Sequence, residues 1–148
     1  IPTLVLIRKP EDAVLSRIIR KPLLPMEFAL RDYIRFYESI RELKDAYVLA
    51  TFEKVVHDFG NVIRRINDRF RCDFYIFEHT PSNVERVFRI VEQMDLRDRE
   101  KNAVCEDTVA RPSEERERKK AQLREELVFH TKLLERATSL YEELTGVS

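Results

Sequence analysis

The side chains that could bind a metal ion or act as nucleophiles are spread thinly along this chain. The candidate ligands are His57, Asp58, Cys72, His79 and Cys105. Zinc sites usually place their ligands in close pairs, because a spacing such as Cys-x2-Cys orients both side chains toward one ion. These five residues lack such pairs, so the sequence predicts no metal site and no cofactor.

Catalytic patterns are also missing from the sequence. Cys72 and His79 are seven residues apart, which is roughly 10 Å along a helix and exceeds hydrogen-bonding distance. Phosphate-binding loops need clustered glycines, whereas the two glycines, Gly60 and Gly146, lie far apart. We therefore predict that the chain is not an enzyme.

One stretch concentrates positive charge. Arg64, Arg65, Arg69 and Arg71 surround a single acid, Asp68. Arginine binds phosphate groups through two parallel hydrogen bonds, so this basic patch could bind RNA or an anionic membrane surface. The simpler interpretation is a solvated helix face whose arginines pair with acids on a neighbouring helix.

The last third of the chain carries a heptad pattern. Its apolar positions alternate steps of four and three residues, as in the a/d seam of a coiled coil, and are Leu123, Leu127, His130, Leu134, Ala137, Tyr141 and Leu144. Such a seam packs within one chain, pairs with a second copy, or binds a foreign helix. We take it as the candidate partner-binding surface, although internal packing is the favoured arrangement.

The first half of the chain predicts helices. Residues 1–25 form a Pro-rich segment in which a short helix begins near Pro10 and stops before Pro22, after an extended arm or edge strand at Thr3–Ile7. From residue 26 an apolar stripe at helical spacing predicts one very long or kinked helix to about residue 78. The stretch 72–79 fits a strand or a helix, and we favour a helix.

The second half predicts two more helices. A capping-box pattern starts a helix over 82–96, which completes a long helical core over 26–96. A polar loop follows over 97–112, and a C-terminal helix spans 113–145. Its charged start, residues 114–122, has no apolar face, so we expect it to project from the body.

The helical stripes also predict the core. Its members should be Leu30, Ile34, Tyr37, Ile40, Val48, Phe52, Val55, Phe59, Ile63, Ile66, Val87, Val91, Leu127, Leu134 and Tyr141. The sequence thus predicts an all-α fold: a single domain over 1–148, built as an elongated helical bundle with long amphipathic helices and a coiled-coil-like C-terminal helix.

Composition supports a protein-interaction role. Of 148 residues, 36% are charged, yet 27 basic and 27 acidic residues balance to zero, without the basic excess of a dedicated nucleic-acid binder. We predict a non-enzymatic protein–protein interaction or scaffold module that binds another protein or a second copy of itself as a dimer. The alternative is a phosphate-binding helical module. No apolar run reaches the length of a membrane span, so we expect a cytoplasmic protein, with a nuclear location open.

Overall fold

The computed structural model describes residues 1–98 and 103–147. In chain order its elements are β1 (Leu4–Ile7), α1 (Pro10–Arg20), α2 (Met26–Ile40), β2 (Val48–Thr51), α3 (Phe52–His57), α4 (Phe59–Phe70), α5 (Pro81–Asp98), α6 (Glu114–Leu127) and α7 (Thr131–Thr145), with 3-10 turns at Arg41–Ala46 and Val128–His130. The prediction of a mostly helical fold is confirmed. Part of the predicted polar loop, residues 99–102, lies outside the described residues.

A small parallel sheet joins β1, near the start of the sequence, to β2, which follows α2. β1 pairs with β2 in a register that places Leu4 opposite Val48 and Ile7 opposite Thr51. Parallel strands need a long crossover connection, and α1 and α2 provide it. β1 matches the edge strand that the sequence offers as one alternative for Thr3–Ile7, whereas β2 adds a strand where the sequence predicts a helix.

The single long helix predicted from residue 26 to about 78 is wrong. α2 ends at Ile40, and Leu43 leaves helical geometry within the following 3-10 turn. A run of contiguous apolar residues over 47–50 then forms β2, because such a run suits a buried parallel strand as well as a helix. Pairing with β1 decides between the two.

The predicted helix over 72–79 is also wrong. Arg71 adopts the left-handed conformation, with φ of 52°, and ends α4. The side chain of Asn67 then bonds both backbone groups of Phe74: its amide donates to the carbonyl at 2.8 Å, and its oxygen accepts from the N–H at 3.0 Å. The chain over 72–80 consequently runs without helix or strand.

Two apolar clusters hold the fold together. The larger joins β1, α1, α2 and α7, and the smaller joins β2 to α4. Of the predicted core, the buried members are Leu30, Ile34, Tyr37, Val48, Ile66, Leu127 and Tyr141. The partly buried members are Ile40, Phe52, Val55, Phe59, Ile63, Val91 and Leu134. Val87 is exposed, which contradicts its predicted place in the core.

The C-terminal helix is divided in two and packs along its whole length. The 3-10 turn at Val128–His130 separates α6 from α7. The expectation that the charged start projects from the body is wrong, because Arg116 and Lys120 are only 8% and 2% exposed. Within residues 1–98 and 103–147, no helix is both long and apolar enough to cross a membrane.

Gly60 provides a test of the way the 72–80 segment packs on α4. A Cβ at this position would lie 2.4 Å from the carbonyl oxygen of Phe77. Alanine in a helix interior is otherwise favoured over glycine by about 1 kcal/mol. We expect Gly60→Ala to lower the free energy of unfolding by about 1–3 kcal/mol through this clash, measured by urea denaturation.

The control for this test is Asn61→Ala, one residue along the same helix and exposed to solvent. It should change the free energy of unfolding by no more than about 0.5 kcal/mol. A Gly60→Ala variant that is more stable than the parent protein would show that the 72–80 segment does not press on α4.

Candidate anion-binding cavity

A cavity of about 890 Å³ opens between the sheet, α1, α3, α5 and the start of α6. One wall is apolar and largely aromatic, and it is formed by Phe52, Val55, Val56, Phe59, Phe77, Val84, Val87 and Phe88. The lining also includes basic side chains, namely Arg8, Arg17, Arg20, Lys21, Arg111, Arg116 and Lys120. We call this space the basic cavity. Its dimensions suit a small organic ligand.

Local structure places the basic side chains together. Arg8 directly follows β1. Ser16 and Arg20 lie one turn apart on α1, as Arg116 and Lys120 do on α6, and residues four apart share a helix face. α6 packs against α1, so these two faces line the same space.

Several of these cations are neutralised within the chain. Arg17 pairs with Asp32 at 2.7 Å, and Arg111 pairs with Glu106 at 2.8 Å. Lys120 contacts Glu117 at 2.6 Å. In the part of the chain that the structure describes, Arg8, Arg20 and Arg116 have no carboxylate within ion-pair distance. Three guanidinium groups therefore contribute uncompensated charge to the cavity.

The guanidinium group of Arg8 is held in place, but one of its hydrogen-bond donors lacks a partner in the described chain. Its Nη1 donates to the hydroxyl of Ser16 at 3.2 Å, and its Cζ lies 4.2 Å from the centre of the Phe52 ring. The Nε of Arg8 is buried and has no hydrogen-bond partner within the described chain. A buried donor without a partner costs roughly 1–3 kcal/mol, and more when it is charged. The arginine thus presents a fixed, unsatisfied donor.

Arg116 lies in the field of its basic neighbours. Burial lowers the pKa of its guanidinium, and the positive charges of Arg20 and Arg8 lower it further, against the opposing effect of Asp107 and Glu117. Its Nη1 donates to the carbonyl of Val109 at 2.8 Å. All three arginines line the basic cavity, so their like charges add to one positive field there.

Two buried tyrosines fix the strand that leads to Arg8. The Tyr37 hydroxyl donates to the carbonyl of Leu6 at 2.7 Å, and the Tyr33 hydroxyl donates to the carbonyl of Arg8 at 2.8 Å. Burial raises the pKa of Tyr37 to about 12. Burial also raises the pKa of Tyr33 far above its usual value, with added effects from Tyr37 and Tyr141. Both phenols consequently stay protonated donors through the neutral range.

The basic patch predicted from the sequence lies elsewhere and is only partly free. Arg64, Arg65, Arg69 and Arg71 are all exposed, on α4 and at its end. Arg69 is bonded to Asp45. Its Nη2 donates to Oδ1 of Asp45 at 3.0 Å and to the backbone carbonyl of Asp45 at 2.7 Å. One of the four arginines is therefore paired with an acid, as expected if the patch is a solvated helix face.

The predicted seam faces the interior of its own chain. Leu127, Ala137 and Tyr141 are buried in the larger apolar cluster. The remaining members, Leu123, His130, Leu134 and Leu144, are partly buried. α7 packs chiefly on α2. This is the internal arrangement that the sequence favours.

The candidate ligands named from the sequence have structural contacts instead of a shared site. Asp58 caps α4 by accepting the N–H of Asn61 at 3.1 Å, and Nδ1 of His79 accepts the N–H of Phe59 at 3.3 Å. Over residues 1–98 and 103–147, no three His, Cys, Asp or Glu side chains converge on a metal position.

Sequence reasoning missed the basic cavity, because its residues are far apart in the chain. Arg8 and Arg116 are brought together by the packing of α6 on α1. One local signal was present: Arg8 directly follows the apolar run of β1, and Ser16 and Arg20 lie one turn apart on the next helix.

Comparison of the chain with protein-family models, curated proteins and solved structures finds no match. The chemistry of the cavity therefore rests on its own geometry. Three guanidinium groups and a hydroxyl suit an anion with several oxygens, such as a phosphate or sulfate group. The aromatic wall suits an apolar or planar organic body.

Tyr37 allows a test of the positioning of β1. Its raised pKa of about 12 exceeds the usual value of about 10 for an unfolded tyrosine. The stabilisation is therefore complete below pH of about 10 and is lost as pH rises through about 12. We expect Tyr37→Phe to lower the free energy of unfolding by about 1 kcal/mol at pH 8, because it leaves the Leu6 carbonyl unpaired. Between pH 10 and 12 the variant should lose less of this free energy than the parent protein.

The measurement is urea denaturation of both proteins at pH 8, 10 and 11. Tyr37→Phe also removes the contribution of Tyr37 to the raised pKa of Tyr33, so the difference between the two curves reports the titration of the Tyr33–Tyr37 pair. A stability difference that stays constant over this pH range would contradict the assignment.

Proposed function

We propose that the chain is a ligand-binding domain for an organic anion that carries a phosphate or sulfate group. Arg8, Ser16, Arg20 and Arg116 bind the oxyanion, and the aromatic wall of the basic cavity binds the organic part. The observation that carries this proposal is the buried, unpartnered Nε of Arg8 beside two further guanidinium groups that lack carboxylate partners.

The energetics favour an anion at this position. The positive charges of Arg20 and Arg8 repel the Arg116 guanidinium. An anion relieves this repulsion, and charge-assisted hydrogen bonds are roughly twice as strong as neutral ones. The ligand should also stabilise the folded state, by about 2.7 kcal/mol at one hundred times its dissociation constant.

This proposal keeps the phosphate-binding class predicted from the sequence but moves its site. The earlier candidate, the patch from Arg64 to Arg71, is exposed and has one member paired with Asp45. The basic cavity combines fixed cations with apolar walls. A surface for RNA or an anionic membrane at the patch stays an alternative, and the experiment below separates the two.

A protein-interaction role is the second proposal. The seam is occupied within the chain, so coiled-coil pairing with another copy would require α7 to leave the larger cluster. Exposed apolar side chains elsewhere support an interaction surface outside the seam, since Ile90 and Met94 of α5 are 48% and 55% exposed. The elongated bundle, the dimer and the absence of catalysis that the sequence predicts belong to this proposal.

The test of the first proposal is a binding series by isothermal titration calorimetry. The probes are inorganic phosphate, sulfate, a nucleoside monophosphate and an alkyl phosphate. We expect an organic phosphate to bind more tightly than inorganic phosphate, because it also fills the aromatic wall. Arg8→Gln and Arg116→Gln should each weaken binding by roughly 10–100-fold, the loss of about 1.5–3 kcal/mol from one charge-assisted contact.

The matched control is the double variant Arg64→Gln/Arg65→Gln, which removes two exposed arginines outside the cavity. It should bind the probes as the parent does, and circular dichroism should show all variants folded. Arg8→Lys adds a second control, because it keeps the charge and loses the planar donor pair. Equal binding by the parent and Arg8→Gln, or lost binding in the Arg64/Arg65 variant alone, would place the site elsewhere.

A further inference from the structure

α5 has an apolar face that the rest of the described chain leaves uncovered. Val87, Ile90 and Met94 are 40%, 48% and 55% exposed. Their spacing of three and four residues places them in one stripe over two helical turns. We call these three residues the α5 stripe. Val84, Phe88 and Val91, on the adjoining face of α5, are partly buried.

Charge along one border of the α5 stripe is positive and unpaired. Arg86 and Arg97 are eleven residues apart and so fall on nearly the same side of the helix, next to Ile90. Both are exposed. In the described part of the chain, no carboxylate lies within ion-pair distance of either guanidinium.

Three acids of α5, Glu85, Glu92 and Asp95, lie away from this border and are already engaged. Glu85 pairs with Arg89 at 2.6 Å, and Glu92 pairs with Arg111. Asp95 is buried and accepts hydrogen bonds from the Thr108 hydroxyl and the Cys105 N–H. The border of the stripe therefore keeps a positive charge that a binding partner has to match.

A second copy of α5 does not match it. In an antiparallel pair centred near residue 91, Arg86 of one copy lies opposite Arg97 of the other, and in a parallel pair each arginine lies beside its own counterpart. Like charges disfavour both arrangements. A helix with an apolar stripe and an acidic border complements the surface in shape and in charge.

We propose that the α5 stripe is a docking surface for an acidic amphipathic helix of another protein. The partner's apolar residues pack on Ile90 and Met94, where the flexible methionine adapts to different side chains. Its carboxylates pair with Arg86 and Arg97. This surface gives the predicted interaction module a partner class, and it does not depend on the ligand of the basic cavity.

The probes for the test are two designed helical peptides with the same leucine stripe, one bordered by glutamates and the other by lysines. Fluorescence anisotropy measures their binding to the protein at low salt. We expect the acidic peptide to bind and the basic peptide to bind at least about tenfold more weakly, a difference of about 1.4 kcal/mol.

Three variants locate the surface. Ile90→Ser/Met94→Ser removes the apolar contacts and should abolish binding; Val87 is left intact because it also lines the basic cavity. Arg86→Glu/Arg97→Glu should reverse the preference, so that the basic peptide binds better. Val128→Ser/Phe129→Ser, a control at an exposed apolar pair far along the chain, should leave binding unchanged.

The outcomes separate this inference from the others. Equal binding of both peptides, no binding of either, or a loss of binding only in the Val128/Phe129 control overturns it. So does a dimer, detected by sedimentation, that dissociates in the Ile90/Met94 variant, because the stripe then serves a second copy. Phosphate binding to the basic cavity should persist in every variant. A failure of the α5 docking surface is therefore distinct from a failure of the proposed anion site.

Discussion

The parallel pairing of β1 with β2 is the constraint on which the rest of the molecule depends. Each strand has only four residues, yet a parallel pair requires everything between the strands to fold as a crossover. The register places Ile7 opposite Thr51, so the residues that follow, Arg8 and Phe52, emerge side by side. Their contact, 4.2 Å from the Arg8 Cζ to the Phe52 ring centre, is a direct result of that register.

Buried tyrosines complete this small sheet. An isolated pair of strands is marginal in water, and carbonyls alternate between the two edges of a strand. The Thr3 carbonyl accepts the N–H of Val48 on the side of β2, so the Leu6 carbonyl points the other way, where the Tyr37 hydroxyl pairs with it. α2 thus supplies by side chain the hydrogen bond that a third strand would supply by backbone.

The sequence predicts those features that short-range patterns determine. α1 begins at Pro10 and ends before Pro22, so its pattern is contained within the element. α5 begins at Pro81, close to the predicted start, although Thr80 accepts the N–H of Asn83 in place of the predicted capping residue Ser82. The heptad seam keeps its spacing from α6 into α7. β2 differs, because its apolar run is compatible with strand or helix until β1 pairs with it. α6 differs too, since its apolar pattern is weak and its packing on α1 uses charge, through Lys120 with Asp12 and Arg124 with Glu11. The basic cavity depends on both of these long-range contacts, which is why its residues could not be assembled from spacing alone.

The same contacts explain why the cavity keeps its unbalanced charge. Two of the three guanidinium groups are fixed by groups other than carboxylates: Arg8 by Ser16 and the Phe52 ring, and Arg116 by the Val109 carbonyl. These partners hold position without neutralising charge, whereas neighbouring cations such as Arg17 are neutralised by an acid. The proposed anion meets two cations that are already held in place, so its binding costs little conformational entropy. It also relieves the repulsion of Arg116 by Arg20 and Arg8, which adds to its affinity.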